Sequence, residues 1–145
     1  MDQLYDRQIR ALQPELNSYL QGLRINILGD FFLAQEICKH FVLLGVREIG
    51  FQGDLPYQLT SKTIINKFCD NPDFIINCSG SIIEVAQDNI LNVFVLDNKL
   101  IVSKTEAYIT DTSYIQSNIV GAVFHYWFIH FLKTDKTKNR YEINL

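Results

Sequence analysis

Glycine is missing where a phosphate-binding turn would need it. A short apolar run at residues 24–28 is followed by a helical run at residues 33–44, and Gly29 is the only glycine in the turn between them. Such turns use several glycines so that backbone N–H groups can approach a phosphate at the helix N-terminus. Here Phe31 and Phe32 put two aromatic rings into that space. Cysteine is sparse too. Three residues at irregular spacing, Cys38, Cys69 and Cys78, give no disulfide framework and suit a reducing compartment. Charge is low, with a net value of -3, so nothing electrostatic points to nucleic acid or to an anionic membrane surface. The N-terminus lacks the basic and apolar regions of a signal peptide. The longest apolar run, residues 119–132, contains His125 and His130 and is too short to span a bilayer.

What is present reads as one domain over residues 1–145, with 48% hydrophobic and 20% charged residues, an ordinary globular balance. Residues 2–13 have the pattern of an amphipathic helix, broken near Pro14. The spacing predicts a strand at 24–28, a helix at 33–44 stopped by Gly45, and a second strand at 48–52. A polar loop with Pro56 follows, and then a strand at 73–78 apolar enough to be buried on both faces. Residues 82–96 carry apolar side chains at mixed helical spacing, with Asp88 and Asn89 as exposed helix residues. Residues 100–103 are strand-like, and 108–115 suit a turn and an edge strand. The run from residue 119 is apolar nearly all round, which predicts a buried core helix. Residues 133–140 read as a solvated basic turn and 141–145 as a closing strand. Strands alternating with helices indicate an α/β fold with a mainly parallel sheet.

The opening motif Tyr5-Asp6-Arg7-Gln8-Ile9-Arg10, followed by the strand and Gly29, resembles the adenylating domain of ubiquitin-like-protein activating enzymes. The same domain serves bacterial relatives in thiamine and molybdopterin biosynthesis. The similarity continues through Glu36-Ile37-Cys38-Lys39, Leu43-Leu44-Gly45-Val46, Asp73-Phe74-Ile75-Ile76-Asn77-Cys78 and Ile119-Val120-Gly121-Ala122. The first motif is the most specific and is most similar to regulatory subunits of heterodimeric SUMO-activating enzymes. The resemblance implies a Rossmann-like, mainly parallel sheet with flanking helices, here truncated.

Departures from the family pattern carry the functional reading. The family's Gly-x-Gly-Gly-x-Gly loop falls on Gly29, Phe31, Phe32 and Ala34, so three of four glycines are replaced. Its ribose-binding acid falls near Gly53, with Asp54 one place on, and the Asn and Arg that follow it in active members have no counterpart in residues 55–60. Its magnesium-binding Asp and the next Asn fall on Gly80 and Ser81. Without that carboxylate no residue is placed to hold the metal that neutralises ATP phosphate charge. About twenty residues separate the second strand from Asp73, too few for a whole strand-helix-strand crossover. The inserted catalytic-cysteine domain of active subunits is missing between Ile115 and Ile119.

The resemblance therefore implies a non-catalytic subunit with no cofactor of its own and no metal site. It would pair with a catalytic activating subunit that binds ATP and Mg, and it would meet the ubiquitin-like modifier only indirectly. In the family, the arginine at the position of Arg7 reaches across the dimer to an ATP phosphate in the other subunit. Nuclear or cytoplasmic placement follows from the pathway, with nucleus tied to SUMO; the NEDD8 pathway is the alternative. A stand-alone degenerate nucleotide-binding module and an active small enzyme are the other classes, and the loop chemistry argues against the second. No cysteine has the electropositive, accessible setting of a nucleophile. His125 and His130 are five apart and cannot clamp a metal as an i, i+4 pair. Structural histidines, each with one hydrogen-bond partner, are the expectation for these two and for His40.

Overall fold

Alternation of side chains on strand β1 (Arg24–Leu28) sets the architecture. Ile25 and Ile27 enter the helix-covered core, whereas Asn26, between them, points to the opposite face and is itself buried. A computed structural model describes residues 14–29, 32–51, 64–66, 68–83, 89–110, 114–134 and 138–145 of the chain. Within them helix α1 (Pro14–Gly22) precedes β1 and α2 (Phe32–Leu44) follows it. Next come β2 (Glu48–Phe51), β3 (Ile64–Asn66), β4 (Phe74–Asn77), β5 (Ile90–Leu96) and β6 (Lys99–Ser103). Helix α3 (Tyr114–Lys133) and β7 (Arg140–Asn144) complete the chain.

The strands form one seven-stranded mixed sheet in the order β3-β2-β1-β4-β5-β6-β7. The pairings β3-β2, β2-β1, β1-β4 and β4-β5 are parallel, and β5-β6 and β6-β7 are antiparallel. Chain order reverses between β1 and β4, so their carboxyl ends emerge side by side. One sheet face carries a core shared by α1, α2 and α3, including Leu20, Ile37, Phe41, Phe124 and Phe128. Phe41 meets Phe128 edge-on with ring centroids 5.1 Å apart, and Phe74 of β4 meets the same ring at 5.3 Å.

Helix α2 stops where Gly45 takes a φ of 78°, a left-handed value cheap only for glycine. Its N–H donates to Val42 O, and Val46 N–H donates to Phe41 O, the paired bonds of a Schellman cap.

Several sequence expectations are corrected. The helical spacing read over 82–96 fails in its second half, where Ile90–Leu96 form β5, buried on both faces at its start and turned into β6 by Asp97 and Asn98; residues 84–88, Asp88 among them, lie outside the described residues. Both turn residues have positive φ, 51° and 62°, as a tight two-residue hairpin requires. Asn89 is a half-buried turn residue whose Nδ2 donates to Pro72 O and Asp73 O. The region after β2 is not strandless, because three residues of β3 extend the sheet beside β2. Residues 108–110 form no strand, and α3 already begins at Tyr114.

That helix is not buried all round: Ile119 is 58% and Tyr126 79% exposed, since only one side of α3 faces the sheet and α2. Pro14 opens α1, where a proline has no needed N–H to lose. The helix expected over 2–13, Arg7 within it, and Phe31, Gly53 and Asp54 lie outside the described residues.

Candidate functional site at the carboxyl ends of β1 and β4

The crossover point of such a sheet is where ligands usually bind, in the crevice beyond the strand ends. Here the crevice is narrow. Gly29 leaves β1 with a φ of 111°, and a Cβ on it would stand 3.2 Å from the backbone C and O of Cys78. Cys78 N–H donates to Leu28 O at 2.9 Å, joining the two exits. Helix α2 begins at Phe32, which is half exposed, whereas Ala34 is fully buried in the helix-covered core. Of the four loop positions, Gly29, Phe32 and Ala34 are thus placed around this turn and Phe31 is not described.

After β4 the chain is held by a buried amide. Asn77 is 1% exposed, and its Nδ2 donates to Asn92 Oδ1 at 2.7 Å and to Ser81 O at 2.8 Å. Its Oδ1 accepts from Ser79 N and Ser79 Oγ. Asn92 in turn pairs across β5-β6 with buried Ser103, whose Oγ accepts from Thr105 N and Glu106 N. A polar row thus crosses three strands with the Asn77 amide bonded at both its nitrogen and its oxygen, which rigidifies the turns it supports.

Gly80, where the resemblance places a metal-binding carboxylate, has a φ of 82°. A Cβ there would lie 2.6 Å from Ile109 Cγ1 and 2.9 Å from Ile109 Cα. No side chain fits at position 80 while residues 108–110 hold this path. Ser81 is exposed and contributes its carbonyl to Asn77.

The thiols are poorly set for chemistry. Burial pushes Cys38 and Cys78 up to about 12, so both stay protonated at neutral pH. Cys69 is also raised, by burial first and by the Glu48 carboxylate second. Among the described residues no group of three His, Cys, Asp or Glu side chains could hold a metal ion. No helix among them is long and apolar enough to cross a membrane.

The sequence did not reveal two features. One is the row Asn77–Asn92–Ser103, each member of which looks like an ordinary strand-end polar residue. The other is on the opposite sheet face, where α2 and α3 bring His40 and His125 together with ring centroids 5.1 Å apart. The single hydrogen-bond partner expected for these histidines is not found for His40 Nε2 or His125 Nδ1 among the described residues. The only advance signal was spacing, Glu36 to His40 and Gly121 to His125, each one helical turn. A separate cavity of about 410 Å³ is lined by Val95, Asn98, Thr110, Gln116, Ile119, Val120 and Leu145, none of them from the β1–α2 turn.

Compared with protein families, with curated proteins and with solved structures, the chain has no match.

Proposed function

We propose that this chain is a non-catalytic, Rossmann-like subunit of a heterodimeric ubiquitin-like modifier activating enzyme of the SUMO type. It supports ATP-dependent adenylation carried out by its partner, in the nucleus or cytoplasm. The observation that carries this reading is the closed crossover point. Gly29 abuts Cys78, and Gly80 lies under Ile109, where a nucleotide-binding relative would need open space and a metal-binding carboxylate. The parallel order β3-β2-β1-β4-β5 supports the Rossmann-like part, being the strand order of doubly wound nucleotide-binding sheets. The step from that order to a pathway is fold-level analogy joined to the Tyr5–Arg10 motif. Ile109, Ile119 and Tyr126 are more than half exposed, apolar surface that a partner subunit would cover. The NEDD8-type regulatory subunit shares every one of these features and is the alternative.

Two measurements test the reading. Affinity capture of the tagged chain from its native cells, with identification of the recovered protein, returns a catalytic activating subunit in a one-to-one complex. Calorimetric titration of the isolated chain with magnesium and ATP shows no binding in the low micromolar range. A Kd there, about -8 kcal/mol, or recovery without any activating subunit, overturns the proposal.

A further inference from the structure

Strand β7 ends the sheet, paired with β6 on one side and with no strand on the other among the described residues. Its register fixes where its backbone groups point. Tyr141 stands opposite Val102 and Ile143 opposite Leu100, and on the same register Lys104 N–H donates to Asn139 O and Leu145 N–H to Asn98 O. Bonded and unbonded pairs alternate along an antiparallel ladder, so Asn139, Tyr141, Ile143 and Leu145 are the residues that bond to β6. The N–H and C=O groups of Arg140, Glu142 and Asn144 therefore point away from the sheet, and no backbone partner meets them among the described residues. The strand is held firmly in this pose, because Tyr141 packs against Trp127 at 5.1 Å and Phe131 at 5.7 Å between ring centroids. Bare edges are blunted by proline, by a bulge or by charge. β7 has no proline, its register with β6 is unbroken, and its charges are of both signs.

We propose that the free edge of β7 is a docking surface for a second copy of this chain, the two β7 strands pairing antiparallel about a twofold axis at Tyr141. In that register Arg140 of each copy stands opposite Glu142 of the other, as a hydrogen-bonded pair that exchanges two backbone bonds. Opposite charges directly across a ladder stabilise it and like charges destabilise it. Twofold registers centred on Arg140 or on Glu142 would set two guanidinium groups or two carboxylates face to face, so the charge order selects the axis at Tyr141. Both side chains lie on the sheet face opposite the helices, where Arg140 is 39% and Glu142 47% exposed, so a second copy can reach them. Arg140 already bonds Glu142 of its own strand at 3.2 Å, which aligns the guanidinium along the edge. A second copy is the occupant because a twofold contact needs one strand complementary to itself, and β7 is. Two five-residue strands make a small contact beside a standard interface of about 1,600 Å², so the dimer is weak and depends on concentration. The pairing goes beyond the proposed function and does not rest on it, since it uses neither the crossover point nor the exposed side of α3.

The test uses the whole chain without any partner. Sedimentation equilibrium over a concentration series shows the parent passing from monomer to dimer. Arg140→Glu and Glu142→Arg each set like charges opposite and weaken dimerisation by about tenfold. An equimolar mixture of the two variants dimerises at least as tightly as the parent, because an acidic edge then meets a basic one. Thermal unfolding followed through Trp127, the single tryptophan, checks that each variant is folded. The parent alone gives a second reading by amide hydrogen exchange. The amides of Tyr141 and Ile143 are protected at every concentration, and those of Arg140, Glu142 and Asn144 become protected only as the dimer forms. A parent that stays monomeric throughout, a dimer in which those three amides remain exchangeable, or a mixture of folded variants that pairs no better than either one alone overturns the proposal.

Discussion

The side-chain amide of Asn26 stands in for a β-strand partner to Cys69. Its Nδ2 donates to Cys69 O at 3.1 Å, and Cys69 N–H donates to its Oδ1 at 2.8 Å. Gly50 on the neighbouring strand makes room for this pairing, since a Cβ there would fall 2.2 Å from Asn26 Oδ1 and 2.6 Å from Phe68 Cα. The segment entering β4 is thereby laid directly across β1 and β2, on the sheet face opposite the helices.

Asn26→Ala leaves a buried N–H and a buried C=O of Cys69 unpaired, at about 1–3 kcal/mol for each such group. Gly50→Ala collides with backbone as well as with Asn26 and costs more. Urea unfolding followed at Trp127 checks both, as lower midpoints with an unchanged slope. An Asn26→Ala midpoint equal to that of the parent would show that water replaces the amide at no cost.

Acid destabilises the α2–α3 seam. Burial, and then the charge of His40, lower His125 from 6.5 to about 4, and His40 is lowered by burial and by Lys39. The unfolded chain therefore binds more protons than the folded chain between these values. Stability from this source is complete above about pH 6.5 and is lost as pH falls toward 4. The lowering to about 4 caps the His125 effect at about 3 kcal/mol, and partial exposure of the ring brings it lower. His125→Phe, compared with the parent, flattens the fall in Tm across that window. Parallel curves would remove His125 from the account.

If the chain pairs with a catalytic subunit as proposed, Arg7 is the candidate for a contact to ATP phosphate across the interface. A guanidinium is always charged and can grip phosphate oxygens through two N–H donors, stabilising charge on the transferring phosphates. Arg7→Ala is expected to slow adenylation by the reconstituted complex at subsaturating ATP while assembly stays intact, and Arg10→Ala to do much less. Pyrophosphate exchange measures this. An unchanged rate would reduce Arg7 to a surface residue and the subunit to a scaffold.

The local elements whose burial and punctuation agree were legible in advance. β1 lies at Arg24–Leu28 as read, because Ile25 and Ile27 face one core and Asn26 is buried on the other side. α2 runs from Phe32 to Leu44 because Gly45 supplies the left-handed cap. β5 was misread because an apolar run buried on two faces has no period that separates strand from helix. The Asp97-Asn98 turn was the overlooked signal. β3 could not be read from three residues whose order comes from pairing with β2.

Amino-acid order by itself determined the alternating α/β pattern, the poverty of the turn at Gly29 and the lack of an acid at position 80. These depend on side-chain type and short-range spacing, which the chain carries locally. Tertiary structure alone decided that Cys78 and Ile109 close over those two glycines, that Asn26 reaches Cys69 forty-three residues away, and that one side of an apolar helix stays in solvent. It also brought His40 to His125. Such contacts join segments far apart in sequence, and they form only because strand register and the close α2–α3 approach at Gly121 leave those side chains no other place to pack.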